Sequence, residues 1–273
     1  MTDAVLTPET TTPVLPTKLE LEALFLQKHG SLQAVGWAPR RRFRFGYFFP
    51  TDVYECLIGK LVAPGCTWLD VGGGNAIFPE NPRLAQELAS RCAKVVAVDP
   101  SENVLQNKFV HESHRCLLEE YKTSEQFDLA TMRMVVEHVG APKEFVAALA
   151  KLVKPGGTAV VFTVNRRSPI TMLSWLIPFR LHHPIKKLFW GGEEEDTFPV
   201  QYLMNTRAEL RTLFEQAGFA EHAFTQPDDL STFGRFRWLN YLELKVWSGF
   251  RRLGIGYPEN CLLGAYRRMS SDE

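Results

Sequence analysis

The sequence predicts an α/β fold, a doubly wound and mostly parallel sheet with helices on both faces. Between Thr51 and Val164, short apolar runs alternate with stretches of helical periodicity. The runs are near-continuously apolar rather than alternating, as in strands covered on both faces. Polar and glycine residues cluster where the runs end, at Asp70 and Gly72, at Asp99 and from Met132 onward. In open sheets of this kind, ligands bind beyond those carboxyl ends.

"KLELEALFLQKHG" (Lys18 to Gly30) has helical spacing and a glycine suited to end it, and "TDVYECLIGKLVAPG" (Thr51 to Gly65) repeats the pattern. "TWLDV" (Thr67 to Val71) is a strand running into three glycines. A helix over Leu84 to Cys92 and a buried strand over Lys94 to Pro100 follow. After an irregular stretch come the strand Phe127 to Met132 and the helix Pro142 to Lys154. The turn "KPGG" then launches the strand Thr158 to Val164. Asn165 to Tyr202 is irregular, with "HHP" and the acidic run Gly191 to Asp196. Asn205 to Phe219 is a helix, with Thr206 and Glu209 forming a capping box. Arg235 to Gly254 is a long amphipathic helix, and Asn260 to Arg268 is a last strand. No internal repeat is visible.

At 273 residues and 45% hydrophobic, the chain can bury one generous core. Its formal net charge is zero, so no global field draws it to nucleic acid or anionic lipid. The cluster "PRRRFR" (Pro39 to Arg44) reads as a solvated or interdomain face. Five cysteines without a CxxC pair argue against a disulfide framework or zinc knuckle and suit a reducing cytosol. Residues 1–17 are Thr/Pro-rich and lack a basic n-region and an apolar h-region. They read as a disordered tail of a cytoplasmic chain, not as a signal peptide. The most apolar run, Pro169 to Phe179, is too short to span a bilayer.

The glycine stretch "WLDVGGGNAIFPEN" carries the functional signal. A dinucleotide fingerprint would need a third glycine where Ile77 stands, and Pro79 and Pro82 delay the next helix. A P-loop lacks its Gly-Lys-Ser/Thr. About 25 residues on, a second strand ends in Asp99, placed to accept hydrogen bonds from both hydroxyls of a ribose. Asp70 suits a ligand with an ammonium group rather than a pyrophosphate. S-adenosylmethionine has both an amino-acid end and an adenosine.

The ordered set "LDVGGGNA", "VVAVDPSE", "FDLATMRMVVEHV" and "LVKPGGTAVVFTV" resembles the class I S-adenosylmethionine-dependent methyltransferases of the bacterial small-molecule type. "FPVQYLMNTRAELRTLFEQAGF" resembles the region after their fifth strand. The resemblance implies a Rossmann-like, seven-stranded sheet with a helical cap. It gives one domain over 18–273, with a cofactor-binding core at 51–165 and lid or substrate elements at 166–204 and 228–257. It implies that Asp70 organises the glycine loop and the ammonium end, and that Gly72 and Gly74 pass close to the methionine moiety. Asp99 would hold the ribose diol with Pro100 beside the adenine. Leu118 and Glu119 would reach the adenine, and at Met132 and Arg133 the backbone would meet the amino-acid end again. Ala76 stands where a third glycine is common. Leu117 replaces an acid that many relatives direct at the adenine amino group.

Methyl transfer is an in-line displacement, so alignment and a dry site do most of the work. A base is needed only where the acceptor must lose a proton, and His138, His182 and His183 are the candidates. No metal is expected, because one contiguous acidic run over Glu193 to Asp196 does not make converging ligands. The aromatics of Arg44 to Pro50 and of Asp228 to Tyr257 suit a fairly apolar or aromatic small acceptor, methylated on oxygen or carbon. They suit packing or a dimer contact equally. The expected partners are a small molecule and no nucleic acid, with a homodimer left open. The alternatives are an RNA or protein methyltransferase, a non-catalytic cofactor-binding protein, and a nicotinamide enzyme.

Overall fold

The computed structural model describes residues 14–176 and 199–270. Three helices precede the sheet: α1 (Lys18–His29), α2 (Trp37–Phe45) and α3 (Pro50–Leu61). Thr17, counted with the tail in the sequence, instead caps α1. It forms a reciprocal box with Glu20 that satisfies two otherwise orphaned N–H groups. Helix α2 covers the arginine cluster. Arg42 is buried with its guanidinium over the Phe49 ring, so that cluster is not wholly a solvated face.

The sheet strands are β1 (Thr67–Val71), β2 (Lys94–Asp99), β3 (Glu112–Arg115), β4 (Phe127–Arg133), β5 (Val153–Val164), β6 (Phe219–Thr225) and β7 (Cys261–Arg268). They lie in the order β3-β2-β1-β4-β5-β7-β6. All pairs are parallel except β5 with β7 and β6 with β7. This is the expected seven-stranded, mostly parallel sheet. Helices α4 (Pro82–Arg91), α5 (Pro142–Leu152) and α7 (Arg207–Gln216) cover it, and α6 (Pro169–Leu176) follows β5. Helix α8 (Arg237–Arg252) is inserted between β6 and β7, as the sequence indicates. The order reverses between β1 and β4, so a cleft opens at their carboxyl ends.

Strand alternation divides the apolar residues between two cores. Trp68 and Val95 point one way and pack with Leu57, Ile58, Leu84 and Leu88 of α3 and α4. Leu69, Val71 and Met132 point the other way, onto Phe145 and Leu149 of α5 and Phe214 of α7. A smaller cluster of Tyr47, Leu230, Leu244 and Trp247 joins α8 to the segment after α2. Residues 1–13 and 177–198 lie outside the described residues, and with them His182, His183, the acidic run and much of the expected lid at 166–204.

Candidate functional site

The glycine loop turns at the carboxyl end of β1. Gly72 has φ +70°, and a Cβ there would lie 2.2 Å from Cγ2 of Val135, so no side chain fits. A Cβ at Gly73 would lie 2.8 Å from Oδ2 of Asp70. The bare backbone is therefore a requirement of close packing on both sides of the turn. The Gly72 N–H donates to the Val98 carbonyl at 2.8 Å, continuing the β1–β2 pairing into the loop.

Asp99 ends β2 beside this loop. Its Oδ2 accepts from the Gly74 N–H at 3.0 Å and its Oδ1 from the Ser101 N–H at 2.7 Å. These two bonds fix the carboxylate while each oxygen keeps lone-pair capacity toward the cleft. Asp70 sits behind the loop and is 3% exposed, so it supports the cleft wall rather than lining it. The Thr131 hydroxyl donates to Asp70 Oδ1 at 2.7 Å, and Trp68 Nε1 donates to that hydroxyl at 2.8 Å. Burial pushes the Asp70 carboxyl up to about 7, against the opposing pull of Thr131 and of the Arg133 charge.

The cleft has a volume of about 870 Å³. Gly72, Gly74, Asp99, Pro100, Leu118, Glu119, Arg133 and His138 line it, so most of the sequence candidates converge there. The Met132 side chain is fully buried in the α5 core, as alternation along β4 requires, so only its backbone, the part the resemblance implicates, can face the cleft end. Two residues that the sequence reading passed over hold the loop. Thr131 pairs in register with Asp70 on β4, a relation visible only once strand order is known. Asn107 donates through Nδ2 to the Gly73 carbonyl at 3.2 Å, from a stretch with no periodic signal.

His138 ends a single 3-10 turn, Val136–His138, on the far rim. Its Nδ1 lies 3.1 Å from the Pro199 carbonyl, which can only accept and so fixes the ring proton on Nδ1. The neighbouring Glu137 is buried and accepts from the Thr163 hydroxyl at 2.7 Å, which in turn accepts from Asn205 Nδ2 at 2.8 Å. Burial raises the Glu137 carboxyl. The Glu137 carbonyl also accepts from the Gln201 and Tyr202 N–H groups, at 2.7 and 3.1 Å. The rim and the segment after residue 198 are thus tied together.

Beyond the end of β5, α8 and the loops flanking it bring four acids together: Glu243 from the helix, and Asp228, Asp229 and Glu259 from the loops. Burial first, then repulsion from Asp229 and Glu259, pushes Glu243 up to about 8. Burial, opposed by the Ile170 N–H, pushes Glu259 up to about 7. Asp228 accepts from Trp247 Nε1 at 2.7 Å. Among the described residues, no group of three or more His, Cys, Asp or Glu side chains has metal-holding geometry.

A parallel sheet whose switch-point cleft is walled by a bare glycine turn and a strand-tip acid defines a nucleoside-cofactor fold of the class I methyltransferase type. The family model described as "Methyltransferase domain" matches residues 36–223, and the chain belongs to that family. It is 31% identical over 163 residues to a ubiquinone biosynthesis O-methyltransferase of Leptothrix cholodnii, covering 55% of this chain and 66% of that one. It is 35% identical over 112 residues to the enzyme of the same name from Caulobacter vibrioides, covering 37% and 42%. The chain thus spans between about two fifths and two thirds of these curated relatives. A solved structure assigned as an S-adenosylmethionine-dependent methyltransferase of Listeria monocytogenes superposes with a TM-score of 0.50 at 13% identity. It covers 79% of this chain and 97% of that one, and it supports the fold alone.

Proposed function

We propose that the chain transfers a methyl group from S-adenosylmethionine to a small acceptor, with an acceptor oxygen favoured over carbon. One observation carries the reading: Asp70 and Asp99 stand on adjacent strands, in parallel register, on either side of the glycine turn. The name of the O-methyltransferase relatives supports oxygen as the acceptor atom.

The residues present suit this cofactor. The backbone at Gly74 has open space beside it for a ligand, and the pre-aligned Asp99 carboxylate can accept from two vicinal hydroxyls. Leu118 and Pro100, both lining the cleft, supply an apolar surface for a base. Asp70, buried behind the turn, organises the glycine loop and places its charge on the ammonium side of the wall without lining the cleft. Bound S-adenosylmethionine supplies a methyl carbon made electrophilic by its sulfonium. The protein aligns the acceptor and excludes water around that carbon. His138 lines the cleft rim, where its ring can hydrogen-bond an acceptor hydroxyl and is the candidate to take its proton. His182 and His183 remain candidates for acceptor contact on the strength of the sequence alone. No resident metal enters this scheme. The reading also places the chain in the cytoplasm, supported by five free cysteines. Among the described residues, no helix is long and apolar enough to cross a membrane.

Asp99→Ala tests the pocket. Losing two charge-assisted hydrogen bonds is expected to weaken S-adenosylmethionine binding at least about 100-fold in calorimetry. Undiminished binding would reject the assignment.

A further inference from the structure

Cys66 precedes β1 and Cys92 follows α4. The two are 26 residues apart in sequence, yet their Sγ atoms lie 3.4 Å from each other. The backbone enforces this proximity. The Ala93 N–H donates to the Cys66 carbonyl at 2.9 Å, and the Gly65 N–H donates to the Arg91 carbonyl at 2.7 Å. The two turns therefore run side by side at the amino end of the sheet, away from the cleft.

Two touching thiols can be ordinary core filling, and both residues do border the α3–α4 core. Three features argue for more. Both residues sit in the turns that open the amino end of the sheet, at the margin of that core, 7% and 8% exposed. The two sulfurs are already in hydrogen-bond contact at 3.4 Å and must close to the roughly 2.05 Å of a disulfide. The bond is also polarised. The contact between the two sulfurs holds the Cys66 thiol below its ordinary range and drives Cys92 upward, because a thiol beside a thiolate can donate to it. Core packing by itself would raise both.

We propose that Cys66 and Cys92 form a reversible disulfide under oxidation by a hydroperoxide. The Cys66 thiolate attacks a peroxide oxygen and the O–O bond breaks. With hydrogen peroxide the departing hydroxide leaves as water, and Cys66 becomes a sulfenic acid. The Cys92 sulfur then attacks the Cys66 sulfur, the S–O bond breaks, and hydroxide leaves with the Cys92 proton as a second water. Two thiols lose two electrons and two protons, and one peroxide is reduced to two waters. The new bond closes a loop holding β1, the glycine turn and α4, which constrains the unfolded chain.

The test treats the purified chain with hydrogen peroxide, alkylates it, digests it with trypsin and reads the peptides by mass spectrometry. The expected product joins the Cys66 peptide to the Cys92 peptide with loss of two hydrogens, and dithiothreitol reverses it. Oxidation should raise Tm by roughly 5–10 °C in the wild type and not in Cys92→Ser. The digest needs no variant, so it decides the matter even where a serine variant folds poorly. Cys116, partly exposed at the cleft, reports that oxidant was present. Oxidised Cys116 with Cys66 and Cys92 still reduced would overturn the proposal. So would Cys66 appearing as a sulfinic acid with no cross-link. Neither result bears on the assigned cofactor pocket.

Discussion

Asp70 connects the chemistry of single residues to a measurable pH dependence. Its buried carboxyl is pushed up to about 7. Below that pH it is neutral and offers no charge to an ammonium; above it the carboxylate attracts one. Affinity for S-adenosylmethionine is therefore expected to rise several-fold between pH 6 and pH 8, and Asp70→Asn should flatten the rise. Calorimetry at both pH values checks this, and a flat wild-type profile would remove Asp70 from the ammonium end. The sequence showed this residue and Asp99 readily, because an acid closing an apolar run is chemically conspicuous. Thr131 and Asn107 were hidden for a different reason. A hydroxyl and an amide become informative only when folding brings them to a carboxylate or a turn carbonyl.

At the scale of elements, apolar runs such as Trp68 to Val71 and Val95 to Val98 identified themselves, since both faces of those strands are covered. Strand β3 did not. "ESHR" sits at the sheet edge with no residue fully buried, so hydropathy had nothing to report. Helix α2 was masked by its arginines, one of which is buried over an aromatic ring. Helix α8 was legible from its amphipathic spacing, and its anchor is Trp247, whose ring meets Tyr47 edge-on at a centroid distance of 5.2 Å. Trp247→Ala is expected to cost about 3–5 kcal/mol by removing a buried indole and orphaning Asp228. Because α8 is an insertion, the loss should show first as faster proteolysis within 228–257. Cofactor affinity should stay within about two-fold, as the glycine turn belongs to another core. Equal losses in both would mean that the insertion and the sheet unfold as one unit.

Across the whole molecule, the raised carboxyls outweigh the usual pattern of stability against pH. Asp70 and Glu259 are pushed up to about 7 and Glu243 to about 8, whereas an unfolded chain releases those protons near pH 4. Between those limits the folded state holds more protons, so stability falls as pH rises. Glu20, held down at about 2 by the Thr17 N–H and then by Lys60, acts oppositely and loses its contribution only in acid. Tm is expected to fall by roughly 5 °C from pH 5.5 to pH 8.5, with Glu243→Gln recovering part of it. Thermal scans across that range check the sign, and a steady rise toward pH 8.5 would contradict it. The succession of apolar strand and helix along the chain announced the parallel half of this architecture. The antiparallel β6–β7 edge and the acid group beside α8 depend on contacts across long sequence separations, which periodicity does not encode.

The Tyr47 phenol accepts from the Leu230 N–H at 2.9 Å and donates to the Asp228 carbonyl at 3.2 Å, across 183 and 181 positions of sequence. One side chain thus does the job of a rung of backbone pairing. During synthesis the Asp70–Asp99 turn can assemble as soon as β4 has emerged, but Tyr47 must wait until Leu230 has followed. The nascent chain should accordingly acquire nucleoside affinity well before the wall beside α8 closes.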